Sequence, residues 1–358
     1  MSTLAHRSPT TDSPERQDTA ATRGGGLGGM LWLTWRQHRV ALLGLLAFAV
    51  VVVGWMTFLS VDLTSIHHQC HNTACSPYSP QEATLKAPFG LFRQVEILGL
   101  VLQYAPLLIG IFIGVPLLAR EHEQRTLLLA WSQDISPMRW LWTKLGLLVV
   151  YVAALSVVAS AVSDHLAHVF AVVDGGGLFD FASLMVTGML PLASSICWFA
   201  VGVALGAVIR RTLPAVFGLI AGFLGVTLGL QWRYPTLMKP LSVYRPIGAP
   251  EDHVFADNAL RVRGGIVRTG GTEATGLFDP SGHQVTGAEL ERLCPSGADV
   301  DREFACFAGN HLTNYVEYQP GSRIPEFHLI LGAGYLGLAA VALVTVWLIV
   351  RRTNLSAG

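Results

Sequence analysis

Ile97-Leu98-Gly99-Leu100-Val101-Leu102-Gln103-Tyr104-Ala105-Pro106-Leu107-Leu108-Ile109-Gly110-Ile111-Phe112-Ile113-Gly114-Val115-Pro116-Leu117-Leu118-Ala119 stops abruptly at Arg120 and Glu121. No charged side chain interrupts residues 97–119, and about 20 residues at 1.5 Å each carry a helix across the hydrocarbon of a bilayer. Lipid offers no partner to an unpaired backbone group, so a run of this kind is a helix rather than a loop. Five more runs of the same character occupy 40–61, 145–163, 182–209, 213–230 and 327–350, that of 145–163 ending at Ser163 and Asp164. Composition agrees: 51% of the 358 residues are hydrophobic and 13% charged, against about 25% charged in soluble domains. The predicted fold is an all-α polytopic membrane protein with six transmembrane helices and a small extracytoplasmic domain between helices 5 and 6.

Charge informs through its placement, because Lys plus Arg and Asp plus Glu both total 24. That balance excludes a nucleic-acid partner of the strongly basic kind. Arg36 and Arg39 precede the first run; Arg120, Arg125, Arg139 and Lys144 lie between the second and third; Arg210 and Arg211 join the fourth and fifth; Arg351 and Arg352 follow the sixth. Positive charge in short loops marks the cytoplasmic side, so both termini are expected there, in a plasma-membrane protein. Residues 1–29, rich in Ser, Thr, Gly and Arg, have too few large apolar side chains for a core and are expected to be a disordered, retained cytoplasmic segment. Residues 40–231 carry helices 1–5, 232–326 the extracytoplasmic domain, 327–350 helix 6 and 351–358 a cytoplasmic tail. Turn signals at Gly264-Gly265, Gly270-Gly271, Asp279-Pro280 and Pro295-Ser296-Gly297 punctuate the external segment, and Ala259 to Val267 is a candidate strand.

Four of the five cysteines, Cys70, Cys75, Cys294 and Cys306, fall on the side where disulfides persist. Sequence proximity favours Cys70 with Cys75 and Cys294 with Cys306, although four cysteines allow three connectivities. His67, His68, Cys70, His71 and Cys75, and separately Asp164, His165 and His168, contain competent metal ligands. Oxidation of Cys70 and Cys75 would remove the thiolates, and no metal site is assigned. No catalytic residue is assigned either.

Two segments combine apolar and cationic side chains at the cytoplasmic face. Residues 30–39 carry Trp32, Trp35, Arg36 and Arg39, which suits an amphipathic helix lying in the headgroup layer; the plainer alternative is the flank of the first transmembrane helix. Residues 120–144 are charge-dense, yet contain the apolar patch Leu127 to Trp131, and such a patch in water has a partner or lies on the membrane. Small-residue pairs at i, i+4 recur: Gly110 and Gly114, Gly202 and Gly206, Gly218 and Gly222, Gly225 and Gly229. They let backbones approach closely, within one bundle or across a dimer. Pro106, Pro116 and Pro191 mark kinks.

The Trp32-Leu33-Thr34-Trp35-Arg36-Gln37-His38-Arg39 opening, Ala119-Arg120-Glu121 with Glu123 and Thr126, Trp131-Ser132-Gln133 followed by Ser136 and Arg139-Trp140, Arg210-Arg211-Thr212-Leu213-Pro214 and Tyr318-Gln319-Pro320 occur in order along residues 30–352. Together they resemble permease subunits of actinobacterial ATP-binding-cassette exporters of the type-2 class. The resemblance implies a coupling helix near 120–131 that docks into a groove on an ATPase subunit. By it Glu121, Glu123 and Thr126 shape that helix and its contacts, and Leu128, Leu129 and Trp131 supply apolar burial. Arg125 stands where the family usually has glycine. It also implies a dimer with a second permease copy. No Gly-x-x-x-x-Gly-Lys-Ser/Thr loop occurs, so ATP and Mg would be used by the partner and no cofactor by this chain. The function this implies is a permease moving a hydrophobic or amphipathic substrate, drug, antibiotic or lipid, out of the cell. A membrane-anchored sensor or scaffold whose 232–326 domain binds a ligand is the alternative; it would leave the cytoplasmic apolar patch unexplained. Midplane carboxylates of the kind that ion-coupled carriers use are lacking, and Asp164, His165 and His168 have no nucleophile beside them in any enzyme motif.

Overall fold

The computed structural model describes residues 27–69, 85, 90–123, 137–174, 178–246, 259–264, 274–295 and 300–355. Among these, six helices are long and apolar enough to cross a membrane: His38–Gln69, Leu91–Glu121, Met138–Val173, Leu190–Ile209, Thr212–Thr236 and Gly321–Arg352. The protein is a multi-pass membrane protein.

The first span is a single helix, α1, Leu27–Gln69. Its 43 residues extend about 64 Å at 1.5 Å each, beyond the ~45 Å of a bilayer with headgroups. Residues 30–39, expected as an interfacial helix of their own, are instead the first turns of α1. Nothing in Arg39-Val40-Ala41-Leu42 breaks a helix, since neither Gly nor Pro intervenes. The second span is α2, Leu91–Ile109, a π-helical turn, Gly110–Gly114, and α3, Val115–Glu123. The wide turn lies between Pro106 and Pro116 and precedes Pro116, whose ring and missing amide would otherwise meet the Phe112 carbonyl one turn back.

The third span, α4, is Pro137–Asp174 and outruns the expected end at Ser163 by three turns. Its polar residues are satisfied from the next element: Asp164 Oδ1 accepts the Gly188 N–H at 2.7 Å, and Ser160 donates its hydroxyl to the Gly188 carbonyl. The fourth apolar run is not one helix but two, α5, Phe181–Val186, and α6, Leu190–Ile209. Gly188 makes the break with φ +61°, a left-handed conformation that favours glycine, and the His328 ring occupies the space a Cβ would need. Asp180 caps α5 by accepting the Ala182 and Ser183 amides. α7 is Thr212–Arg233.

α6 is the hub. It is apolar all round, and 67% of its spanning window is buried, against 22–33% for the other five. α7, α4, α2, α3 and the last span, α10, Ile324–Leu355, pack around it. The glycine pairs read from the sequence explain the tightest crossing. A Cβ on Gly110 would stand 2.8 Å from the Trp198 carbonyl oxygen, on Gly114 2.7 Å from that of Phe199, and on Gly206 2.6 Å from that of Val115. Gly110, Gly114, Gly202 and Gly206 therefore serve packing within the bundle, whereas Gly225 and Gly229 on α7 have nothing within 4 Å.

Between α7 and α10 sits a small domain, about one five-stranded antiparallel sheet: β1, Leu241–Pro246, β2, Leu260–Gly264, β3, Ala274–Phe278, β4, Gln284–Thr286, and β5, Thr313–Gln319. β5 is central. β1 takes its whole length on one edge, in the register Leu241↔Tyr318 to Pro246↔Thr313, while β2 and β3 share the other, and β4 pairs β3. Helices α8, Gly287–Leu293, and α9, Val300–Gly309, cover one face through Leu277, Leu290 and Phe307. A disulfide joins Cys294 to Cys306 across these two helices, Cα to Cα 5.8 Å; Cys70 and Cys75 lie outside the described residues. Gln319, fully buried, clamps the domain to the bundle. Its Nε2 donates to the carbonyls of Pro235 and Met238, and its Oε1 accepts from Arg323.

Candidate functional site

α1 and the second span diverge along their length. Near the β-domain end they touch: Trp55 Nε1 donates to Gln94 Oε1 at 3.3 Å, and Leu59 and Leu63 share an apolar cluster with Leu98. Toward the opposite end α1 stays on α4, where Tyr151 donates its hydroxyl to the Leu42 carbonyl at 2.7 Å. α2, the π turn and α3 instead follow α6. The divergence leaves a crevice of about 790 Å³, within the ordinary range of small-molecule pockets. Its apolar walls include Gly44 and Phe48 of α1 and Leu108, Phe112 and Pro116 of the second span. Val40 and Phe112, on its lips, are 80% and 63% exposed.

The end of the crevice is polar. His38, Arg120, Glu121 and Lys144 line it, from three different helices. Lys144 Nζ meets Glu121 Oε1 at 2.7 Å, with the two side chains only 4% and 15% exposed, and lies 4.7 Å from the centre of the Trp140 ring. A charge pair so far from water persists because each partner compensates the other. Glu121 Oε2 and His38 Nε2 are buried without a hydrogen-bond partner among the described residues. Buried polar atoms are nearly always satisfied, by protein or by ordered water.

Two residues beyond Glu121, and so on another face of the helix, Glu123 makes a second tie. Its Oε1 accepts the Thr212 amide at 2.8 Å and its Oε2 the Thr212 hydroxyl at 3.0 Å. Thr212 is the first residue of α7, whose N-cap, Arg211, has no side-chain acceptor to offer. A carboxylate from 89 residues away therefore caps the helix in its place, where the macrodipole also favours negative charge. The bond from the Thr212 amide, then that from its hydroxyl, hold the Glu123 carboxyl below its ordinary range, with Arg120 and Arg211 assisting. Just before it, Arg210 ends α6 in the left-handed region with φ 57°.

The residues expected to couple to an ATPase are thus divided. Glu121 is turned inward onto Lys144 and Glu123 onto α7; Thr126, Leu128, Leu129 and Trp131 lie outside the described residues. At the same end of the bundle Trp32 and Trp35 are exposed, and three tryptophans sit one turn from a cation: Trp32 with Arg36, Trp140 with Lys144, Trp347 with Arg351. Arg39 is exposed there too. The sequence reading had not singled out His38 or Lys144 as site residues. Their signal is faint, a polar group standing just outside the apolar limit of a predicted span.

A family profile described as ABC-2 membrane transporter related matches residues 46–233, more than half of the chain. The chain belongs to the ABC-2 membrane transporter related family. A second profile, a domain of unknown function (DUF8319), matches residues 236–324 and so coincides with the five-stranded domain. No curated protein and no solved structure matches the chain. The ABC-2 membrane transporter related region ends with α7. It contains both walls of the crevice from Phe48 and Leu108 onward, the Lys144–Glu121 pair and the Glu123–Thr212 cap, while His38 and Gly44 precede it.

Proposed function

We propose that this protein is the membrane-spanning permease subunit of an ATP-driven exporter in the plasma membrane, working with a separate ATPase subunit and a second permease copy. Family membership supports a permease role. The observation that carries the mechanism is the Glu123–Thr212 cap. It ties the beginning of the 120–144 segment to the N-terminus of α7, so a force applied to that segment reaches α7 and, through the Arg210 turn, α6. The ATPase would dock on the 124–136 stretch, with Leu128, Leu129 and Trp131 as its apolar contacts, and would use the ATP and Mg. The π turn between Pro106 and Pro116 gives the second span a place to bend as the segment is pulled.

Orientation follows from charge. The tryptophan–cation pairs and Arg120, Arg139, Arg210 and Arg211 share one end of the bundle, which the positive-inside tendency assigns to the cytoplasm with both termini. The Cys294–Cys306 disulfide then lies outside, in the compartment that preserves it. The cargo is a hydrophobic or amphipathic molecule, because the walls of the crevice are apolar up to its polar end.

Affinity purification of the tagged protein in mild detergent tests the partnership. An ATP-binding-cassette ATPase should co-purify with wild type and be lost with Leu128→Asp, which leaves the inward-facing Glu121 intact. A well-folded sample that brings down no ATPase would sink the proposal and turn attention to a sensor role for the external domain.

A further inference from the structure

The crevice carries information about what fits it. Its polar end holds two fixed cations, Arg120 and Lys144, against one carboxylate, Glu121, and His38 faces the same two cations. The local balance is therefore positive. Lys144 and Glu121 share one contact, while His38 Nε2 and Glu121 Oε2 are buried and unpartnered among the described residues. Leading away from this end, Ala41, Gly44 and Phe48 form one wall and Leu108, Phe112 and Pro116 the other. The wall from Leu108 to Arg120 runs about 18 Å at 1.5 Å per residue.

We infer that the crevice between α1 and the second span binds an anionic amphiphile with a single apolar tail, its oxyanion head at Arg120 and His38 and its tail between Phe48 and Phe112. Arg120 offers the planar fork that matches carboxylate, sulfate or phosphate. An imidazole in the tautomer protonated at Nε2 donates to the same head. A cationic head would meet the exposed Arg120, and Glu121 is already neutralised by Lys144 at 2.7 Å. The tail lies along apolar walls that are already exposed at the lips of the crevice. As a cargo site the crevice rests on the permease proposal; as a binding site it does not.

The test uses full-length protein in nanodiscs of phosphatidylcholine with 11-(dansylamino)undecanoate as the probe. The expected result is saturable binding, displaced by dodecanoate or dodecyl phosphate and not by dodecyltrimethylammonium. Arg120→Gln should weaken it at least ten-fold. Gly44→Trp should abolish it by filling the crevice; a Cβ at Gly44 meets nothing within 4 Å, and a wild-type melting temperature checks that the variant is folded. Equal displacement by anionic and cationic amphiphiles, or wild-type affinity in Gly44→Trp, would overturn the inference. Repeating the titration with lysophosphatidylglycerol in the disc separates the sources: competition identifies a single-tailed bilayer lipid and its absence a free single-tailed molecule, and both outcomes support the site. ATP-driven efflux that survives Gly44→Trp would leave the permease proposal standing while removing the crevice from the cargo path. Probe binding without any ATP-driven efflux would do the reverse.

Discussion

One stretch of chain, residues 108–120, builds both the tightest and the loosest contact in the bundle. Gly110 and Gly114 press backbone to backbone on α6, so closely that a methyl group on either would lie within 3 Å of a carbonyl oxygen. Leu108, Phe112, Pro116 and Arg120 instead face the crevice. Residues four apart share a helical face, and a two-residue offset moves round by about 200°, so the two sets are set apart by periodicity alone. Glycine on one face fixes the helix to the hub, and large side chains on the other face keep α1 away from it. A wall anchored on one side and open on the other is what a binding crevice in a moving bundle requires.

The largest test of that contrast is at the closed end of the crevice, where Lys144→Met strands the Glu121 carboxylate in a buried site. A destabilisation of about 3–5 kcal/mol is expected, read as a lower melting temperature in detergent. Adding Glu121→Gln should restore most of it, because the double variant leaves no buried charge. If Lys144→Met melts like wild type, the ion pair does not close the crevice and the polar end is looser than its geometry implies.

Next comes a matched pair of glycines. Gly202→Val places methyl groups where a Cβ already stands 2.8 Å from the Gly110 carbonyl oxygen, and overpacking of this kind costs about 1–3 kcal/mol. Gly44→Val, in the crevice wall, should stay within about 0.5 kcal/mol of wild type. Similar melting temperatures for the two would erase the distinction between seam and crevice.

A smaller effect, of opposite sign, is expected at the end of the seam helix. Arg210 adopts φ 57°, a left-handed conformation costing a non-glycine residue about 1–2 kcal/mol. Arg210→Gly removes that cost but gains unfolded-state freedom worth roughly 0.4–1 kcal/mol. The net result is stabilisation of between about 0 and 1.6 kcal/mol, centred on about 0.8 kcal/mol. A loss of stability would mean that the Arg210 side chain holds the α6–α7 turn in place.

What the sequence made legible follows from which contacts are local. The six spans were readable because each is a continuous apolar run. The bend in the second was readable from Pro106 and Pro116, though not its form as a π turn. The extension of α4 past Asp164 was not, because the group that satisfies Asp164 is the amide of Gly188, 24 residues away. Likewise the break at Gly188 was hidden inside an apolar run, and the sheet emerged only as one candidate strand at 259–267. At the site, Arg120, Glu121 and Glu123 stood out as charges at a span end, but their partners did not. Lys144 is 23 residues from Glu121 and Thr212 is 89 from Glu123. One signal was available: α7 opens with Arg211-Thr212 and lacks a capping side chain at its N-cap position, so its first amides need an acceptor from elsewhere.

That borrowed cap gives the mildest prediction, one that reads the link between segment and bundle directly. Glu123 titrates below its ordinary value of 4.5 because its charged form accepts the Thr212 amide and hydroxyl. A depressed folded pKa means the link is fully present above pH 4.5 and is lost as pH falls through the lower, folded value. Hydrogen-exchange protection of the Thr212 amide, corrected for intrinsic rates, should therefore be flat from pH 5 to 8 and decline only below 4.5. Glu123→Gln keeps one acceptor oxygen for the amide but replaces the other by an NH2 donor and removes the charge, so protection should be weaker at neutral pH and no longer change on acidification. Protection that already falls between pH 7 and 5 would place the controlling charge on a different group. A Glu123→Gln profile that overlays wild type would uncouple the 120–144 segment from α7, and with it the route by which motion there reaches the seam.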